Sequence, residues 1–151
     1  MSDPAPFYIE YHPGSAWENL QQANNLLAVV HFGPEHRVGD RHPAEIQPGL
    51  PGLGGDDWLE VWRSTEPLHS GACQQVRYRH NDTCIFGSLL IEESGVEDLA
   101  LVTEAAYQQI HAVLTTTGFP ALLRMWNFFP RINDESRGLE RYRSFCMGDR
   151  K

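Results

Sequence analysis

Cysteine is scarce in this chain. Cys73, Cys84 and Cys146 are the three in 151 residues, and they share no close spacing. A disulfide framework or a Cys-x-x-Cys zinc site is therefore not indicated. Basic residues are also outnumbered: 12 Lys and Arg against 20 Asp and Glu give a net charge of −8. That balance disfavours bulk attraction to nucleic acid or to an anionic membrane. Long apolar runs are missing. The longest aliphatic stretch, Leu26-Leu27-Ala28-Val29-Val30, falls far short of the roughly 20 residues of a membrane span. Met1-Ser2-Asp3-Pro4-Ala5-Pro6 has neither the basic nor the apolar region of a signal peptide. The expectation is a cytoplasmic protein with no nucleic-acid or membrane partner. No P-loop, Rossmann glycine pattern, Gly-x-Ser-x-Gly elbow or His-Glu-x-x-His is present.

What remains is ample for folding. An apolar content of 41% with 11% aromatics is too rich for disorder, and the length suits one domain. Phe7–Tyr11 is a β-prone run closed by Pro13-Gly14, and Leu26–Phe32 reads as a buried strand stopped by Gly33-Pro34. Residues 33–56, dense in Pro and Gly, read as a long irregular loop. Trp58–Trp62, Gln75–His80 and Cys84–Ile91 read as strands, with His80-Asn81-Asp82-Thr83 as the hairpin turn between the last two. Ser94-Gly95-Val96-Glu97 has the form of a capping box. Leu99, Val102, Ala106, Ile110 and Val113 then trace one apolar helical face, and Gly118 suits the position just past its end. Ala121–Phe129 is almost wholly apolar and reads as a strand buried on both faces. Residues 138–146 read as a short second helix. The order implies an α+β fold, a mixed sheet with one long and one short helix packed on one face.

Few side chains stand out chemically. His31, His36 and His42 lie near Glu35 and Asp40, but at spacings of five and six residues that match no known metal motif, so scattered loop histidines are the favoured reading. Arg141 and Arg143 flank Tyr142. Planar guanidinium groups suit carboxylate recognition, whereas surface pairing with Glu140 or Asp134 is the plainer reading. Arg124 and Asn127, set in the apolar run, would need partners if buried. Cys146 has arginines nearby that would favour a thiolate, but a small apolar core residue is the simpler reading.

Two stretches carry a resemblance. One runs from Glu60-Val61-Trp62-Arg63-Ser64 through Val76-Arg77-Tyr78 to Ile85-Phe86-Gly87. The other is Arg124-Met125-Trp126-Asn127-Phe128-Phe129-Pro130-Arg131-Ile132-Asn133, followed by Gly138-Leu139-Glu140-Arg141-Tyr142-Arg143-Ser144-Phe145-Cys146-Met147-Gly148. Together they resemble the amino-terminal half of the chorismatases, a family that includes pteridine-dependent deoxygenase-like proteins and 3-hydroxybenzoate synthases. The layout of helix, turn, strand and Tyr-x-x-Phe helix is also similar to the RidA (YjgF)-like fold on which that family is built. The resemblance implies hydrolysis of chorismate to pyruvate and a dihydroxycyclohexadiene acid or hydroxybenzoate, with no metal or organic cofactor. It implies a glutamic acid that protonates the enol ether and arginines that hold the two carboxylates.

Under that resemblance, residues 1–151 are expected to form a single chorismatase-like amino-terminal domain, without the family's carboxy-terminal catalytic domain and its acid. Arg141 and Arg143 are the candidates for substrate contact, and Trp126, Asn127 and Tyr142 for structural roles. Chorismate would be a partner only of a chain completed by the second domain, and this chain alone is expected to be inactive. Self-association through the face where that domain would dock is a further expectation. Two other readings stand beside it: a stand-alone RidA-like oligomer acting on small imines or keto-acids, and a non-enzymatic remnant or interaction module.

Overall fold

The computed structural model describes residues 5–38, 42–93 and 98–148, and the chain divides into two compact units, residues 1–90 and 91–151. The class is α+β, as the order of elements implied. In the first unit, β1 (Phe7–Pro13) leads through a 3-10 turn (Gly14–Ala16) into the one-turn helix α1 (Trp17–Leu20). There follow β2 (Leu26–Phe32), β3 (His36–Val38), β4 (Glu45–Pro48), β5 (Trp58–Ser64), β6 (His69–Cys73), β7 (Val76–His80) and β8 (Ile85–Ser88). The second unit holds α2 (Leu99–Thr117), the two-residue strands β9 (Glu135–Ser136) and β10 (Leu139–Glu140), and α3 (Arg141–Gly148).

The main sheet has the order β1-β5-β2-β4-β3. Central β2 pairs antiparallel with β5 on one edge and parallel with β4 on the other. With both edges paired and apolar side chains at Leu26–Val30, β2 is buried over those five residues, and Leu26 and Val29 are fully inaccessible. Leu59 and Val61 of β5 join them in a core that also takes Trp17 and Ala44. Glu10 in β1 accepts from Arg63 Nε at 2.7 Å, and this bond, with one from His12, holds its carboxyl below the ordinary 4.5.

The second sheet has the order β6-β7-β8. Its β7–β8 turn falls where Asn81 was expected to form it. Asn81 is fully buried and uses its whole amide. Its Oδ1 accepts from the backbone N–H groups of Thr83 and Cys84, and its Nδ2 donates to Pro6 O and Ser64 Oγ. A buried amide satisfied this fully fixes the turn to the neighbouring strands.

Several expectations need correction. The 33–56 segment is not one irregular loop, because β3 and β4 lie within it. β4 was hidden by its pattern: Glu45 and Gln47, both polar, are the residues facing the interior. The polar stretch 15–25 likewise conceals α1, whose Trp17 enters the core. The Ser94–Glu97 capping box lies outside the described residues. The described helix starts at Leu99, where the Asp98 carboxylate accepts from Ala100 N at 3.0 Å, and ends on left-handed Gly118 (φ 78°) as expected. The short helix begins later than expected. Arg137 (φ 56°) and Gly138 (φ 77°) turn the chain from β9 into β10, which takes Leu139 and Glu140.

The largest correction concerns Ala121–Phe129, which forms no strand and lies mostly exposed. Within its own unit the only described ladder is the two-residue pair β9–β10, so no strand is offered to it. Arg124 is accordingly exposed, its guanidinium 4.8 Å from the centroid of the Trp126 ring, rather than buried with a paired anion.

Candidate functional site

The cationic end of the second unit is built at the start of α3. The backbone enters from the Pro130–Asp134 turn, where Arg131 adopts a left-handed conformation (φ 53°) and Asp134 N donates to Arg131 O. Arg141 N donates to Asp134 O and Tyr142 N to Ile132 O, so this turn caps the helix. A non-glycine residue held at positive φ beside a charged helix end is a local constraint that surrounding bonds must maintain.

Arg141 is buried, and its Nη2 donates to both carboxylate oxygens of Glu93, at 3.0 and 2.8 Å. Its Nε donates to Pro130 O at 3.2 Å. A buried guanidinium needs such a partner, and Glu93, 48 residues earlier, carries no local sign of this role in the sequence. Arg143, two positions on, is 73% exposed and approaches Glu140 at 3.8 Å. The two guanidiniums thus occupy different environments, one neutralised and one open to solvent, as the 200° between positions i and i+2 of a helix dictates.

The remaining motif residues surround this end. Tyr142 is exposed, and Cys146 one turn on pushes its phenol above the ordinary 10.0. Asn127 donates to the Tyr107 hydroxyl at 3.2 Å. Phe145 stacks on Phe129 at 4.9 Å. Ser144 donates to Asp98 at 2.9 Å, tying α3 to the cap of α2. Gly148 closes the contact. A Cβ there would overlap the Ala100 carbonyl oxygen and lie 2.7 Å from Thr103 Cβ. The glycine that ends the motif is therefore required by close helix packing.

The first unit holds a second titratable cluster. His31 lies 3.7 Å from buried Glu45 on one side and 3.7 Å from Asp57 on the other, beside a cleft of about 650 Å³ that also receives Asp56 and Trp58. Glu45 accepts from Gln47 Nε2 at 2.7 Å. Asp57 sits where Gly14 and Gly33 leave room, since a Cβ on either would press on it. Of the other loop histidines, His42 packs edge-on against Trp17, and burial pushes its imidazole below the ordinary 6.5. Asp40 lies outside the described residues. Among the described residues no group of three or more His, Cys, Asp and Glu could hold a metal ion.

Comparison with known proteins places the chain in a family. Residues 60–151 match the sequence model of the family described as chorismatase FkbO/Hyg5-like, N-terminal. The chain belongs to the chorismatase family. It is 36% identical to a chorismatase of Streptomyces hygroscopicus over 98% of its own length and 43% of that protein's. It is 34% identical to a chorismatase of Streptomyces rapamycinicus, covering 86% of this chain and 39% of that one. It is also 29% identical to a 3-hydroxybenzoate synthase of Streptomyces hygroscopicus, covering 82% and 37%. A chorismatase crystal structure superposes with a TM-score of 0.80 at 25% identity, over 95% of this chain and 44% of that one. The chain thus matches the amino-terminal region of chorismatases and spans about two-fifths of the relatives' length. The match contains the whole Arg141–Cys146 string, whereas His31, Glu45 and Asp57 precede it. Among the described residues, no helix is long and apolar enough to cross a membrane.

Proposed function

We propose that this chain supplies the amino-terminal part of an enzyme that hydrolyses chorismate and releases pyruvate, and that it does not turn over chorismate alone. The observation that carries this reading is the family match over residues 60–151, together with the relatives' greater length. Chorismate is a dianion, and the chain carries a net charge of −8, so attraction must come from local cations rather than the overall field. Arg143, the open guanidinium of the motif, makes the direct carboxylate contact. Arg141, neutralised by Glu93, holds the helix end that presents it. Trp126, Asn127 and Tyr142 shape the turn and helix around that end.

The test is pyruvate release from chorismate, measured with the chain alone and with the chain joined to the portion of the Streptomyces hygroscopicus chorismatase that it does not match. The joined protein should release pyruvate and the chain alone none. Arg143→Ala in the joined protein should raise KM about 10- to 100-fold, the loss of one or two charge-assisted hydrogen bonds. Turnover by the isolated chain, or an unchanged KM in the variant, would refute the corresponding part of the reading.

A further inference from the structure

His31 of β2 has a carboxylate off each ring nitrogen. Its Nδ1 lies 3.7 Å from Glu45 Oε1 of β4, and its Nε2 lies 3.7 Å from Asp57 Oδ2, just before β5. The two sides differ in freedom. Glu45 is enclosed, with Oε1 tied to Gln47, whereas Asp57 is half-exposed. Among the described residues, His31 Nδ1 and Glu45 Oε2 are buried without a hydrogen-bond partner. Buried polar atoms left in this way are costly. A neutral imidazole has one N–H and one lone pair, so it serves one of these carboxylates and turns its lone pair on the other. One added proton makes both nitrogens donors. A closure of about 0.8 Å on each side then completes two charge-assisted bonds.

Nearby imidazoles are already engaged. On β1, His12 meets Glu10 at 3.2 Å. His42, just before β4, accepts from Ala44 N through Nδ1, and burial and Arg79 hold its imidazole below the ordinary 6.5 against the pull of Glu45. Asp56 adds negative charge at the cleft beside His31, and neither Lys nor Arg is among the described residues that line it.

We propose that the Glu45–His31–Asp57 row is a pH-operated clasp: with a proton it holds Asp57 inward, and without one it lets the segment before β5 move away and widens the cleft. Asp57 is the half that moves, because Glu45 is enclosed. Its backbone belongs to the same joint. Asp57 O accepts from Gly14 N at 2.7 Å, and a Cβ on Gly14 or Gly33 would press on Asp57. The end of β1, the end of β2 and the entry of β5 therefore meet at this residue. All of them lie in the first unit, and the inference does not depend on the chorismate reading.

Hydrogen exchange at the Gly14 amide tests the clasp. It is measured in this chain as a protection factor, corrected for the intrinsic effect of pH, at about pH 5.5 and about pH 8.5, on either side of the ordinary histidine range. Protection should be at least about 10-fold greater at the lower pH, the worth of one charge-assisted hydrogen bond. His31→Gln, which cannot take the proton, should abolish the difference, and Asp57→Asn should do the same. If His31→Gln does not fold, Asp57→Asn, at a half-exposed position, decides. Equal protection at the two pH values in the unaltered chain overturns the proposal. So does a pH difference that survives either substitution, which would assign it to another group.

Discussion

Two apolar runs of similar character meet opposite fates in this chain. Leu26–Val30 is central in its sheet, paired on both edges by β4 and β5 and buried throughout. Ala121–Phe129 is richer in large side chains, forms no strand itself, and leaves most of them exposed. Hydrophobicity reports that a segment gains by being covered, about 1.5–3 kcal/mol for each large apolar side chain. It does not report what covers it. In the first unit the cover comes from strands within about 35 residues along the chain, such as β5. In the second run Phe129 stacks on Phe145, whereas Leu122, Leu123 and Phe128 stay exposed.

The comparison can be broken most directly by truncation. Leu59→Ala, in the core against β2, should cost about 2–5 kcal/mol in denaturant unfolding, whereas Leu123→Ala should change stability by less than about 0.5 kcal/mol. Equal costs at the two sites would mean that the 121–129 run is already packed. A second contrast lies within the motif. Glu93→Gln should cost about 3 kcal/mol, because it leaves the buried Arg141 guanidinium uncompensated, and Arg143→Ala should be nearly neutral for stability. The smallest of the three expected losses is at the helix start. Asp98→Ala should destabilise by about 1 kcal/mol at neutral pH through loss of the cap. Bonds from Ala100 N and Ser144 hold the Asp98 carboxyl below its ordinary 3.8. Its contribution is therefore complete above that value and disappears as pH falls through the lowered one. Thermal melts of the two proteins should converge in strong acid and stay apart above pH 4 or so; a gap independent of pH would show that the ionised carboxylate is not the cap.

Local chemistry made much of the architecture legible. The strand at Leu26–Phe32, the Asn81 turn, the long helix and its glycine stop all follow from short-range patterns, and the structure has them where those patterns put them. β4 was not legible, because its interior residues Glu45 and Gln47 are polar, joined by a hydrogen bond from Gln47 Nε2 to Glu45 Oε1. α1 was masked by polar neighbours around the one residue that matters to the core, Trp17. Of the site, the motif arginines were visible, but their division of labour was not. Arg141 and Arg143 look alike in sequence and differ only in what lies opposite each.

The sequence by itself determined the family, the α+β class and which segments want burial, because motif strings and apolar periodicity are properties of neighbouring residues. Tertiary structure alone decided that Glu93 neutralises Arg141, that Gly148 must be small against Ala100 and Thr103, and that Phe129 stacks on Phe145. Each of these depends on residues far apart in the chain being brought within bonding distance. Such a pairing depends on where the whole backbone goes, and no local pattern records it.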